Sequence, residues 1–202
     1  MEFALLLPML IVLFLGIADF ARVFQAGVVT EASARDGAEV AALERLRNQP
    51  PPDTDPAFDD YYRHLHDIAA QTTCAEARDL PNTTYTADDP GTLAPDDDTC
   101  ANWPIIAVCV HDGQDPFCGD LAAGFTGTVP SQCSEITRAW DESVPSAVQS
   151  YAVEVRTCYR FTTLLNLNMS LPLGWGLSLG DVYLQKTRTF VVDCAPGPIA
   201  GC

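Results

Sequence analysis

The sequence predicts an α+β protein in which a long N-terminal hydrophobic helix precedes a disulfide-rich globular head with a small antiparallel sheet. Residues 3–17 form an apolar run, and the alanine-rich residues that follow contain no proline before Pro50. All eight cysteines lie beyond residue 73. Near the C-terminus, apolar and polar residues alternate with the period of two that is typical of β-strands. Together these patterns predict one long helix and one cross-linked head.

The apolar run is long enough for a membrane helix. As a helix, residues 3–17 measure about 23 Å, and extension to Phe24 gives about 33 Å, which exceeds the roughly 30 Å bilayer core. Asp19 and Arg22 lie three residues apart in this extension. They would share one face of the helix, and we expect them to pair at the boundary of the apolar region.

A simple membrane anchor explains neither Glu2 nor Pro8. A carboxylate at the start of an apolar helix needs a partner charge once it is buried, and in a bundle of identical helices a neighbour supplies that charge. Pro8 removes one backbone hydrogen bond and predicts a bend or a loosened turn. These two residues therefore favour a helix that leaves the lipid and packs with copies of itself.

The N-terminal stretch MEFALLLPMLIVLFLGIADFARVF resembles the signature of TadE-like proteins, the pilin-like subunits of the tight-adherence branch of type IV pili. Glu2-Phe3 corresponds to the acid-aromatic pair of that family, Leu7-Pro8 to its Leu-Pro step, and residues 16–20 to its Gly-Ile-x-Asp-Phe step. Residues 34–42 are similar to its Ala-Arg-x-Gly-Ala segment. The resemblance covers about a quarter of the chain.

The resemblance implies a structural role without a cofactor. It implies partners that are copies of the chain in a helical filament, the inner membrane before assembly, the pilus assembly machinery and a prepilin peptidase. The assembly residues carried over from the family signature are Glu2, Phe3, Pro8, Asp19 and Arg22. Family precursors carry a short basic leader before the glutamate, so we expect the N-terminus at Met1 to be trimmed or differently defined. The expected location is an extracellular pilus at the cell surface.

The net charge of −16 restricts the partners of the head. Beyond residue 48, 21 acidic residues face seven bases, and Lys186 is the only lysine of the chain. Such a surface repels the phosphate backbone, so the composition excludes a nucleic-acid-binding protein.

The cysteine pattern predicts disulfides. An even count without a C-x-x-C spacing, confined to the region expected outside the cell, favours four bridges over metal ligands or free thiols. Spacing alone leaves 105 pairings open for eight cysteines. Cys109 with Cys118 is one plausible small loop, and Cys158 with Cys194 is a hypothesis for a bridge between two strands. The disulfide candidates are Cys74, Cys100, Cys109, Cys118, Cys133, Cys158, Cys194 and Cys202.

The chain divides into an N-terminal transmembrane or filament-core helix at residues 1–48, a proline-rich connector at 49–57 and an extracellular head at 58–202. In the head, the patterns predict a helix at 58–73, a strand at 105–110, and two antiparallel strands at 147–163 and 181–193.

Small residues give the first helix a slim surface. This surface either lets another helix or the head approach closely, or is the core-facing side of a soluble helix. The small residues lie at positions 27, 32, 34, 37, 38, 41 and 42. The apolar stretch 164–179 is either a subunit contact or a buried core loop.

Catalytic and metal-binding patterns are weak in this sequence. No phosphate loop, nucleophile elbow or zinc-protease motif occurs, and we expect structural or surface roles for His64, His66 and His111. Asp96, Asp98, Asp112 and Asp115 are weak calcium candidates that lack EF-hand spacing, and a solvated acidic turn is the better interpretation. The sequons at Asn82 and Asn168 are glycosylation candidates.

The sequence leaves two functions open. The first is a non-enzymatic, pilin-like structural subunit that polymerises through its N-terminal helix and contributes to surface adhesion. The alternative is a single-pass, membrane-anchored extracellular binding module, or a minor pseudopilin, that does not form the body of a filament. The two differ in whether the helix stays in lipid or packs with copies of itself.

Overall fold

The computed structural model describes residues 2–48, 50–51, 54–83, 100, 103–112, 116–118, 128–137, 151–163, 168–170, 176–178 and 180–192. The helices are α1 (Glu2–Arg47), α2 (Ala57–Glu76) and the single turn α3 (Ser134–Thr137), which follows a 3₁₀ turn at Ser131–Cys133. The strands are β1 (Ile105–Asp112), β2 (Pro116–Cys118), β3 (Tyr151–Phe161), β4 (Asn168–Ser170), β5 (Gly176–Ser178) and β6 (Val182–Val192). This arrangement confirms the predicted α+β class.

The head is built on a four-stranded antiparallel sheet with the order β2-β1-β3-β6. The central strand β3 pairs with β6 along its whole length, from Tyr151 opposite Val192 to Phe161 opposite Val182. The prediction that the last two long strands are antiparallel neighbours is therefore confirmed. Strands β4 and β5 pair separately, within the apolar stretch 164–179, whose side chains lie outside the described residues.

The second half of α1 belongs to the core of the head. Its small residues pack with α2 against one face of the sheet, where Val153 and Val155 of β3 are fully buried. The helix residues of this cluster are Ala34, Ala38, Ala41 and Ala42 from α1, with Tyr62, Leu65, Ala69, Ala70 and Cys74 from α2. Alanine brings the helix backbones close to the sheet, so most of the slim surface predicted on α1 is used by the head itself.

Helices α1 and α2 run antiparallel and touch at Gly37. The Tyr61 hydroxyl of α2 donates a 2.7 Å hydrogen bond to the carbonyl oxygen of Asn48, next to the end of α1. One turn before the end of α2, a Cβ atom added to Gly37 would lie 2.0 Å from Thr73 Oγ1 and 2.7 Å from the Ala69 carbonyl oxygen. Only glycine allows this helix spacing, since no other residue lacks Cβ.

Both faces of β3 are covered. The sequence pattern correctly places Val153, Val155 and Thr157 on one face of β3 and Glu154, Arg156 and Cys158 on the other. The residues of both faces are nevertheless buried. On the second face, Cys158 packs with Ile105, Ala107, Cys133 and Ile136. A central strand that is covered on both sides needs no polar face, so its polar side chains must find partners within the protein.

Three disulfides join described cysteines: Cys74–Cys100, Cys109–Cys118 and Cys133–Cys158. The Cys109–Cys118 loop is confirmed, and it links the paired strands β1 and β2. The Cys158–Cys194 hypothesis is wrong, because the segment that carries Cys133 packs on the second face of β3 and places its thiol beside Cys158. Cys194 and Cys202 lie outside the described residues.

Candidate assembly helix

Helix α1 presents apolar side chains to its surroundings along its first half. Leu6, Phe14 and Phe20 expose 54%, 66% and 74% of their surface. The other large exposed apolar residues between positions 7 and 24 are Leu7, Met9, Leu10, Ile11, Val12, Leu13, Ile17 and Phe24. A continuous apolar surface of this size is unfavourable in water and indicates contact with lipid or with another protein surface.

Within the part of the chain that the structure describes, α1 is the one helix long and apolar enough to cross a membrane by length and composition. The predicted assembly residues Glu2, Phe3 and Pro8 all lie in its first turns. Their side chains are outside the described ones. The helix continues through Pro8, although proline lacks the N–H group that would donate a backbone hydrogen bond at this position.

The expected pairing of Asp19 with Arg22 is confirmed. Arg22 Nη1 lies 3.4 Å from Asp19 Oδ1, and the Asp19 residue is only 8% exposed. The Arg22 guanidinium also stacks over the ring of Phe161, 5.2 Å from its centroid. This cluster marks the point where α1 passes from its exposed half onto the head, and it keeps both charges close to neutralising or polarisable partners.

Polar contacts then fix the second half of α1 along the sheet. Glu31 accepts a hydrogen bond from Arg188 and lies 3.4 Å from Lys186 Nζ, so both bases of β6 hold the helix. Near the end of α1, the Arg45 guanidinium stacks over Tyr151, 5.1 Å from the ring centroid. Helix and sheet are thus attached from Arg22 to Arg45, and the exposed half projects beyond the head.

A buried charge cluster lies on the second face of the sheet, and the sequence analysis did not identify it. Arg156 Nε donates a 2.8 Å hydrogen bond to Glu154 Oε1, and His111 Nε2 lies 3.3 Å from Glu154 Oε2. The side chains of Glu154 and Arg156 are 5% and 6% exposed. Burial raises the pKa of the Glu154 carboxyl, but the hydrogen bonds from His111 and Arg156 lower it by more, so this pKa lies below its ordinary value. The expected structural role of His111 is consistent with this position.

Acid is expected to remove the stabilisation that Glu154 provides. With its folded pKa below the unfolded value of about 4.3, Glu154 stabilises the head fully above that value and loses this contribution as the pH falls through the folded pKa. The Glu154→Gln variant has no carboxyl to titrate there. Denaturant unfolding measures the free energy of unfolding of both proteins between about pH 7 and about pH 3. The difference between wild type and variant should become smaller as the pH falls. A constant or widening gap would contradict the assignment.

The remaining candidate residues are scattered. His64 and His66 lie on α2, and Asp112 ends β1, whereas Asp96, Asp98 and Asp115 lie outside the described residues. Among the residues whose positions are described, no group of three or more His, Cys, Asp or Glu side chains could hold a metal ion. For the sequons, Asn82 is exposed with a left-handed φ of 68°, and Asn168 begins β4.

A comparison with protein-family models gives a match on α1. The family model described as TadE-like protein matches residues 1–39, which include the whole exposed apolar half of the helix and the Asp19–Arg22 pair. Searches of curated proteins and of solved structures found no match to the chain. The N-terminal segment of the chain is therefore TadE-like, in agreement with the resemblance of the sequence signature.

Proposed function

We propose that this chain is a non-enzymatic structural subunit of a type IV, Tad-type pilus, which polymerises through α1 and carries its head on the outside of the filament. The division of α1 into an exposed apolar half and a head-bound half is the observation that supports this proposal. One half of the helix is committed to the fold of the subunit. The other half has its apolar side chains free for a membrane and then for sibling helices.

The physical basis of assembly is an exchange of environments. In the membrane-embedded precursor, lipid covers the side chains between Leu6 and Phe20, so leaving lipid gains little hydrophobic free energy. Close packing between helices and the pairing of Glu2 with a charge on a neighbouring subunit would favour the filament. The head stays outside, where its acidic surface keeps it hydrated and where it would contribute to surface adhesion.

Electron microscopy of sheared cell-surface material tests the proposal. The cells should express the chain, and an antibody against the head should decorate thin fibres along their length if the chain forms the filament body. Label confined to fibre tips would indicate a minor pseudopilin. Label found only in the membrane fraction, with the chain monodisperse in detergent, would support the anchored binding module and overturn the proposal.

Replacing Glu2 with alanine is expected to abolish or strongly reduce filaments while the head still folds and the helix still inserts into the membrane. The variant lacks the carboxylate that would pair in the bundle, but residues 3–24 remain apolar enough to span the bilayer. Filament yield in the sheared fraction measures assembly, and protease resistance of the head measures folding. Glu39→Ala, which removes a half-exposed acid from the head-bound part of α1, is the matched control and should assemble normally.

Normal filament yield from Glu2→Ala would contradict the pairing role of this carboxylate. Equal loss from Glu39→Ala would show that any removed helix acid impairs assembly, which would also remove the special role of Glu2. In either case the microscopy of the unmodified chain still decides whether the protein forms filaments.

A further inference from the structure

One end of the head faces the exposed half of α1. Strand β3 runs antiparallel to α1, because Tyr151 lies under Arg45 and Phe161 lies under Arg22. Residues 159–163 at the end of β3, 180–184 at the start of β6 and 77–83 after α2 meet at this end, which we name the basal end. The buried Tyr159 and Phe161 pack there with Ala77, Leu80 and Leu184, and the Tyr159 hydroxyl donates to the Pro81 carbonyl oxygen.

The length of α1 leaves no spacer between a membrane and the basal end. The 19 residues from Phe3 to Ala21 measure about 29 Å as a helix, which matches a hydrocarbon core of about 30 Å. The next residues, Arg22 and Val23, already contact the head at Phe161 and in the cluster around Tyr159. If this part of α1 spans the bilayer, the basal end must therefore reach the headgroup layer.

The charges of the basal end suit that position. The chain beyond residue 48 carries a threefold excess of acids over bases, but the basal end holds two of each, Asp79 and Asp181 against Arg78 and Arg160. Arg160 Nη2 lies 2.5 Å from Asp181 Oδ2, which neutralises this pair. Among the described residues of the basal end the charges therefore balance, which limits their repulsion from anionic lipid.

We propose that the basal end is a membrane-contacting surface that rests in the phospholipid headgroup layer while the subunit is anchored. The contact surface includes Thr162 and Val182, which are exposed, and the paired Arg160 and Asp181. This inference rests on the membrane-embedded stage of the proposed function, and it adds a second site of lipid contact outside the helix. The contact fixes the height of the head above the bilayer before assembly.

Site-specific photo-crosslinking in lipid nanodiscs tests the proposal with the full chain. Phe14, Val182 or Val191 is replaced, one at a time, by the photoreactive amino acid p-benzoylphenylalanine, and lipid adducts are counted by mass spectrometry. Val182 and Val191 lie at opposite ends of β6 and are 36% and 49% exposed, so they form a matched pair. Phe14, which is 66% exposed in the apolar half of α1, reports whether the helix is anchored.

The expected result is strong labelling at position 14 and about tenfold more lipid adduct at position 182 than at position 191. Position 14 would lie within the bilayer and position 182 in its headgroup layer, whereas position 191 would lie above both. Labelling at position 14 with equal, low labelling at 182 and 191 would overturn the basal contact and leave the anchored stage intact. Absence of labelling at all three positions would overturn both the basal contact and the membrane-anchored stage. Thr162 replaces Val182 if protease sensitivity shows that the label at 182 disturbs the fold.

Discussion

Replacing Glu154 with glutamine is expected to destabilise the head by about 3–5 kcal/mol, which is typical for breaking a buried ion pair by removing one charge. The variant keeps the size of the side chain but removes the negative charge that faces the Arg156 guanidinium at 2.8 Å. Arg156 is buried in the central strand. The loss therefore comes from removing the carboxylate charge beside this buried guanidinium and not from a cavity.

Denaturant unfolding with intact disulfides, followed by tryptophan fluorescence, measures this loss. Asp181→Asn is the matched control, since it removes the same charge from the partly exposed Arg160–Asp181 pair. An ion pair near the surface contributes about 0–1 kcal/mol, so the control should stay close to wild type. If Glu154→Gln lost no more stability than Asp181→Asn, the buried cluster would not be a significant source of stability.

The elements with strong periodic signals could be predicted from the sequence. The apolar run and the absence of proline between positions 9 and 49 identify α1, and alternation identifies β3 and β6. The Asp19–Arg22 pair follows from helix geometry alone, because residues three apart share a face. These features depend on local spacing, which a sequence contains directly.

Features that depend on distant contacts could not be predicted in the same way. Strand β2 has three residues and is defined by its pairing with β1, for which the Cys109–Cys118 spacing was the only local signal. The partner of Cys158 depends on a turn that packs across β3, so spacing favoured the wrong cysteine. The shared face of Glu154 and Arg156 was visible from alternation, but the burial of that face and the approach of His111 require the sheet order.

Gly37→Ala is expected to destabilise the head by about 1–3 kcal/mol, the usual cost of forcing an extra methyl group into a packed core. The added Cβ would lie 2.0 Å from Thr73 Oγ1 and 2.7 Å from the backbone oxygen of Ala69. Thr73 is fully buried and donates a 2.7 Å hydrogen bond to that same oxygen, so it has little freedom to move away. Helices α1 and α2 would have to separate, and the separation would loosen the alanine-lined core beneath them.

Gly27→Ala separates this steric effect from the change in helix propensity. The same helix offers open space at Gly27, with no atom within 4 Å of an added Cβ, so alanine there should stabilise the chain by up to about 1 kcal/mol. The opposite signs expected at the two glycines, measured by denaturant unfolding of the head, test whether α1 is held by close contact with α2. Adding Thr73→Ala to Gly37→Ala should recover part of the loss, because it removes the nearer of the two clashing atoms while the Ala69 oxygen remains. Equal effects at Gly27 and Gly37 would show that the two helices adjust their spacing freely, and the second half of α1 would then not be rigidly fixed to the head.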